Sequence, residues 1–265
     1  MERDRAAAPS PAMTWSARQY TAFEAQRTRP VRDLVCAIAT TNVTRAIDLG
    51  CGPGNSTEVL RERYPDAAIT GLDSALDMLA SARKRMPDVT FVQGDIAHWS
   101  PEHRYDVILA NASLQWLPDH ATLYPRLLGY VGEGGTLAVQ TPDNEHEPAH
   151  VLMRKVAAEG PWSGKVEQAR ALTRHAPPFY YELLKPLARN VDVWRTVYYH
   201  PLASHDGIVE WFKGTALRPY LDALDAGEKS EFLARYRREL EAGYPALRDG
   251  TVMLPFPRVF VVAMR

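Results

Sequence analysis

The sequence is short of cysteine, of charge imbalance and of long apolar runs. Two cysteines, Cys36 and Cys51, in 265 residues are too few for a disulfide framework, and a reducing compartment is the natural expectation. Lys and Arg number 31 against 32 Asp and Glu, a net charge of −1. So even a balance disfavours a basic nucleic-acid binder and an acidic solvating chain. No stretch approaches the roughly 20 consecutive apolar residues of a membrane span. The opening MERDRAAAPSPA lacks the apolar segment of a secretory signal. The expectation is a cytoplasmic protein with neither nucleic acid nor membrane as partner. Its oligomeric state is not written in these numbers.

What is present, 46% hydrophobic and 24% charged residues, suits a globular chain with a sizeable core. Residues 1–14 are polar, aperiodic and rich in Ala and Pro, and read as a disordered tail. A helical pattern follows from Trp15. Thr28 then reads as the N-cap of a second helix, with Pro30 in its first turn and Val31, Leu34, Val35 and Ile38 as its apolar face. Short apolar runs next alternate with helical ones. Strands are expected at Ala46–Leu49, Ala68–Leu72, Val89–Gln93, Tyr105–Ala110 and Thr136–Gln140. Helices are expected at Ser56–Tyr64 and Ala75–Arg85. Near-continuous apolar strands separated by helices predict an α/β fold, a mostly parallel sheet covered on both faces. Beyond residue 141 the pattern turns helical and proline-punctuated, with two further strands expected at Arg195–His200 and Arg258–Met264.

The strongest local signal is Ala46-Ile-Asp-Leu-Gly-Cys-Gly-Pro-Gly-Asn-Ser-Thr57. A buried strand runs into Gly50, Gly52 and Gly54, and a helix opens directly after them. Glycine is needed where backbone turns tightly or a ligand comes close, and a helix start offers N–H donors to an anionic group. The spacing G-x-G-x-G departs from the dinucleotide fingerprint G-x-G-x-x-G, and Asp48 stands just inside the turn. An acid there suits a ligand carrying an ammonium or sulfonium better than a pyrophosphate. Asp73 ends the next strand, 25 residues after Asp48, close to the ~20-residue offset at which a carboxylate meets ribose hydroxyls. Asp95 ends the strand after that and could accept from an adenine amino group. Three successive strand ends thus bear acids at the edge where open parallel sheets bind ligands. Ser74 and Asp77 also resemble a capping box.

These residues resemble the class I S-adenosylmethionine-dependent methyltransferases. The resemblance covers about residues 15–140 and implies a Rossmann-like seven-stranded sheet with its last strand antiparallel. It also implies that Gly50 and Gly52 approach the methionine part of S-adenosylmethionine and that Asp73, with Ser74 beside it, binds the ribose. Asp95 and Ile96 would frame the adenine, with Met78 on its face. Asn111 and Ser113 would stand beside the reacting methyl, and Gln19 and Tyr20 would lie on a helix folding over the cofactor. More narrowly, Trp15-Ser-Ala-Arg-Gln-Tyr20, Glu24, Arg27-Thr-Arg-Pro30, Leu114-Gln-Trp-Leu-Pro-Asp-His120, Gln140-Thr-Pro-Asp-Asn144, Trp211-Phe-Lys-Gly-Thr-Ala-Leu-Arg-Pro-Tyr220 and Leu254-Pro-Phe-Pro-Arg-Val-Phe-Val-Val-Ala263 resemble the trans-aconitate 2-methyltransferase family. That likeness implies a carboxyl O-methyltransferase forming a monomethyl ester of trans-aconitate. The chain then divides into a cofactor-binding core with N-terminal helices at 15–144, a helical substrate cap at 145–190 and 203–250, and final strands at 191–202 and 251–265.

No residue stands out as a catalytic base, and none is needed to ionise a carboxylate near neutral pH. Candidate substrate contacts are Trp116 and, from the cluster of cations and aromatics between 194 and 220, Arg195, His200, Lys213 and Arg218. Gly214 between the last two cations could let both face a cleft. His146-Glu-Pro-Ala-His150 matches H-E-x-x-H in letters, but that zinc motif requires both histidines on one helical face. Pro148 belongs in a first turn, leaving His146 outside the helix, so no metal is expected. Cys51 reads as a small residue in a tight turn rather than a nucleophile. Other readings remain open: a methyltransferase for another small or carrier-linked acid, a sensor that binds S-adenosylmethionine without turnover, and, third, a nicotinamide dehydrogenase.

Overall fold

The computed structural model describes residues 23–167 and 174–265. Within them the elements run α1 (Glu24–Cys36), β1 (Arg45–Leu49), α2 (Asn55–Arg63), β2 (Ala68–Asp73), α3 (Leu76–Arg85), β3 (Thr90–Gln93), β4 (Tyr105–Asn111), a 3-10 turn at Leu114–Trp116, α4 (His120–Gly129) and β5 (Val131–Pro142). They continue with α5 (Pro148–Glu159), α6 (Ser163–Val166), α7 (Pro177–Leu184), β6 (Asn190–Leu202), α8 (His205–Lys213), α9 (Arg218–Asp222), α10 (Ala226–Gly243) and β7 (Val252–Met264). The expected tail at 1–14 and the positions Gln19 and Tyr20 lie outside the described residues.

Seven strands form one sheet in the order β3-β2-β1-β4-β5-β7-β6. β1 to β5 pair in parallel, and β7 runs antiparallel to both β5 and β6. The chain works outward from β1 to β3 and then returns to lay β4 against β1. That reversal opens a crevice outside the carboxyl ends of β1 and β4, the position where such sheets take their ligands. The sheet is buried on both faces, as continuous apolar strands require. Alternate residues separate cleanly: Ala46, Val107 and Leu109 join α1, α2 and α3, whereas Ile47, Ile108 and Ala110 join α4 and α7.

A third apolar cluster unites α5, α8 and α10 with Leu202, Leu254 and Phe256. Its foundation is a strand pair that overhangs the sheet. β7 pairs with β5 only over Arg258–Met264, level with Pro142 to Thr136, while its earlier half pairs with β6 alone. The helices of 148–159 and 205–243 therefore pack on this overhang, beside the carboxyl end of β5. Both strands extend beyond the apolar runs expected at Arg195–His200 and Arg258–Met264 and run close to the segments 191–202 and 251–265.

Two local expectations are corrected. Thr28 caps no helix: α1 starts at Glu24 and runs on through Pro30. Arg27, Pro30, Val31, Leu34 and Val35 share its buried face, and that burial outweighs the one N–H the proline removes. Nor do Ser74 and Asp77 form a capping box. Ala75 is the N-cap of α3 without a side-chain bond, and Asp73 takes the Ala75 N–H instead, at 2.9 Å. Asp225 and Glu228 do form a capping box, at the start of α10.

Candidate active site

The glycine turn is shaped by what it must avoid and what it must accept. Gly50 and Gly52 have φ of +74° and +55°, left-handed values that disfavour side chains. A Cβ on Gly50 would stand 2.4 Å from the Cβ of Ser113, so the ends of β1 and β4 meet only because the side chain is missing. Ser113 seals the contact by donating its hydroxyl to the Leu49 carbonyl at 2.7 Å. Gly52 is the opposite case, because a Cβ there would meet no protein atom within 4 Å. Its face is open space at the crevice, as a cradle for a ligand requires.

Asp48 lies beneath this turn, fully buried. One carboxylate oxygen accepts from Ser56 and Thr57, both at 2.7 Å, while Oδ1 has no hydrogen-bond partner. Burial pushes its pKa from an ordinary 3.8 up to about 6, against the pull of the two hydroxyls. A buried acid with an idle oxygen beside an open glycine cradle fits a ligand that brings positive charge. Asp73 accepts the Gly52 N–H at 2.8 Å and the Ala75 N–H at 2.9 Å, fixing the turn to the end of β2. Burial raises its pKa also, and its carboxylate keeps acceptor capacity toward the crevice. Asp95 is more exposed and is held by the Ala97 N–H and by His98 Nδ1 at 2.8 Å. Ile96 is buried next to Gly50, and Arg126 anchors its carbonyl at 2.8 Å. Ser74 is exposed, and Met78 is buried in α3. Asn111 closes β4 with its side-chain oxygen buried and without a hydrogen-bond partner. Cys51 is buried too, and burial drives its thiol pKa far up, so the turn offers no nucleophile.

Next to Asn111 the crevice deepens into a cavity of about 690 Å³, part of it open to solvent. Arg27 enters from α1, Arg174 from just before α7 and Arg258 from β7. Trp116, Trp211, Phe212 and Phe256 supply apolar wall, and Gln115, Asn144 and His150 complete the polar set. No aspartate or glutamate is among the described residues lining it. Arg258 donates to Gln140 at 3.0 Å and lies over the Phe256 ring. Arg174 donates to Asn144 at 3.3 Å, and burial lowers its pKa. Arg27 lies over Trp211. Three guanidiniums around a cavity with no acid among its described residues suit an anion of high charge.

The sequence-based substrate candidates divide. Trp116 lines the cavity. Its turn is braced by His120, which joins the Leu114 carbonyl at 3.0 Å and the Tyr180 hydroxyl at 2.9 Å. The other four are not on the cavity wall. Arg195 pairs with Asp143 at 2.7 Å, Lys213 with Glu210, and Arg218 with Asp222 at 3.4 Å. The expectation that Gly214 would turn Lys213 and Arg218 together into the cleft fails, because Lys213 ends α8 and Arg218 starts α9, each with an acid on its own helix. His200 is buried behind the wall and stacks on Trp211 at 4.6 Å, its pKa lowered to about 4 by burial and by Arg258, Arg29 and Arg27. His146 precedes α5 and is exposed, while His150 is in its first turn and buried, so the two share no face. The arginines that do reach the cavity, together with Asn144 and His150, were missed as site residues.

Sheet order, glycine turn and acidic strand ends define a Rossmann-like α/β methyltransferase. The family model of a methyltransferase domain matches residues 46–135. The Haemonchus contortus phosphoethanolamine N-methyltransferase 2, solved in complex with S-adenosyl-L-methionine, shares the fold with a TM-score of 0.54 at 13% identity, over 89% of this chain and 52% of that one. Trans-aconitate 2-methyltransferase of Methylobacterium nodulans is 52% identical over 253 residues, 95% of this chain and 98% of its own. The enzyme of that name from Rhizobium meliloti is 49% identical over 257 residues, 96% and 99% of the two chains. The chain belongs to the trans-aconitate 2-methyltransferase family.

Proposed function

We propose that this protein methylates a carboxylate of trans-aconitate with S-adenosylmethionine in the cytoplasm, giving a monomethyl ester. The observation that carries the reading is the cavity beside Asn111, with Arg27, Arg174 and Arg258 on its wall and no acid among its described residues. A tricarboxylate is the ligand whose charge answers three guanidiniums. When bound, S-adenosylmethionine supplies a methyl group on a sulfonium that departs as a neutral thioether.

The glycine turn, with Asp73 and Asp48, holds that donor at the ends of β1 and β2, and Asp95 and Ile96 flank its far end. Asp48 answers positive charge with its idle oxygen. On the other side of Asn111, arginine forks hold the carboxylates that are not methylated, and by elimination orient the third toward the methyl group. No side chain has to remove a proton, because a carboxylate is ionised well below neutral pH. Rate enhancement rests on alignment and on the exclusion of water from the attacking oxygen. Trp116, Trp211, Phe212 and Phe256 provide the dry wall. In this reading the ends of β1 to β3 serve the donor, while α5 and α8 close over the acid together with Arg27, Trp116 and Asn144 from the core.

The test is transfer of labelled methyl to a panel of di- and tricarboxylic acids. Base-labile label on trans-aconitate, far above that on monocarboxylic acids, is expected. Binding of the donor without labelling of any acid would refute the reading in favour of a sensor.

A further inference from the structure

The false zinc motif leaves one residue whose chemistry remains unused. His150 is on the wall of the arginine cavity, nine-tenths buried, and its Nε2 has no hydrogen-bond partner. An orphaned ring nitrogen at such depth costs stability unless something else comes to meet it. We propose that His150 recognises a carboxylate of the acid substrate through Nε2–H and takes up a proton as that acid binds. The inference rests on the reading of the cavity as a polycarboxylate site.

The surroundings explain why the proton arrives with the ligand. The charges that bear on His150 are Arg174 across the cavity and Arg154 one turn along α5, and both are positive. With burial they hold its pKa down to about 3, so the imidazole is neutral before the acid enters. Phe212 of α8 meets the ring edge-on at 5.0 Å. Tyr236 within α10 and Tyr244 just past its end, both neutral phenols, are occupied by the carbonyl and the N–H of Ala149. Arg27 of α1 and Arg258 of β7 face the same cavity. Glu145 and Glu147 precede α5, but Glu147 is near Arg195 and Glu145 beside His146. Among the described residues no partner of opposite sign is therefore built in for an imidazolium. A bound tricarboxylate cancels the field of the arginines and supplies that partner, raising the pKa of the ring. The proton comes from solvent, and the filled site then holds a cation against each end of the polyanion.

Binding linked to one proton weakens by up to about tenfold per pH unit between the pKa of the free protein and that of the complex, and levels off above the latter. The Kd of trans-aconitate is to be measured between pH 6.5 and 9 with S-adenosylhomocysteine present to prevent turnover. His200, at about 4, is neutral throughout this range, and Asp48, at about 6, is largely ionised by pH 7. Wild-type protein should bind more weakly as pH rises. Calorimetry in buffers of different ionisation enthalpy should count proton uptake near neutral pH. His150→Gln keeps an amide donor but cannot titrate, so its Kd should be independent of pH and its proton uptake absent. His150→Leu, which lacks the donor as well, should bind the acid more weakly than His150→Gln at every pH. Thermal melting and donor affinity close to wild type verify that both variants are folded. A wild type that binds the acid without proton uptake, or a His150→Gln variant with the wild-type slope, overturns the inference and leaves the substrate reading intact. Failure of the wild type to bind or methylate any polycarboxylate overturns both.

Discussion

Replacing Asp48 by Asn tests whether the site spends stability on its donor. The carboxyl group is fully buried and its pKa rises from 3.8 to about 6, equivalent to about 3 kcal/mol against the ionised form. Because the folded state holds the proton more tightly than the unfolded one, the group adds no penalty below about pH 4. Stability then falls as pH rises through the interval from about 4 to about 6, and the full deficit persists above it. Asn carries no charge, so the variant escapes this deficit. It does bring an amide NH2 to the place of the unpartnered Oδ1, at about 1–3 kcal/mol. The net expectation is a change between neutral and about 2 kcal/mol more stable near pH 7.5, and a variant less stable than wild type near pH 4. Urea unfolding of both proteins, without donor, at these two pH values gives the difference directly, and other titrating groups cancel in the comparison. Donor affinity should drop in the same variant. A stability difference that is the same at both pH values would show that Asp48 is not ionised at a cost, and the charge argument for the cradle would fail.

Three further substitutions probe the remainder of the cleft. Gly50→Ala should destabilise the fold by about 2–4 kcal/mol, combining left-handed strain with the displacement of Ser113 from 2.4 Å, and thermal melting measures it. Asp73→Ala should weaken donor binding by about 1.5–3 kcal/mol in calorimetric titration, with the loop at Gly52 loosened by loss of its acceptor. Arg258→Ala and Arg174→Ala should each lower kcat/KM for the acid by roughly 10- to 150-fold, the span of a charge-assisted hydrogen bond, while donor affinity stays near wild type. Arg218→Ala, at a residue that pairs with Asp222, should change it less than about threefold in the same steady-state assay.

What the sequence disclosed and what it hid follow from how far each feature reaches along the chain. The cradle is written in short continuous stretches, 48–57, 71–78 and 93–96, because a strand, its turn and the following helix are neighbours in sequence. The arginine cavity is assembled from positions 27, 174 and 258, which no local pattern connects. Lys213 and Arg218 attracted attention as clustered cations, yet a helical acid three or four residues away was the nearer partner for each. A better signal was a cation where the pattern demanded an apolar residue. Arg258 interrupts the buried run of β7, and Arg27 falls three and four residues before Pro30 and Val31 on the buried face of α1. A guanidinium in such a position must be met by polar groups or by a ligand.

The two halves of the cleft carry opposite charge, and this arrangement does more than hold two molecules. Asp48 and Asp73 lie at the ends of β1 and β2, where the proposed reading places a donor carrying a sulfonium and an ammonium. Arg27, Arg174 and Arg258 gather beyond Asn111, beside the carboxyl ends of β4 and β5 and the middle of β7. A cationic donor is therefore disfavoured in the acid's place, and a polyanion is disfavoured in the donor's. Reaction consumes one positive and one negative charge, so its products are held less strongly on both sides than its reactants. Selection also follows from the count of charges. A monocarboxylate leaves most of the positive field unanswered and pays the desolvation of its own carboxylate for one contact, whereas a tricarboxylate can engage several arginines and still present one oxygen to the methyl group. Discrimination among acids should accordingly follow the number of carboxylates before it follows their shape.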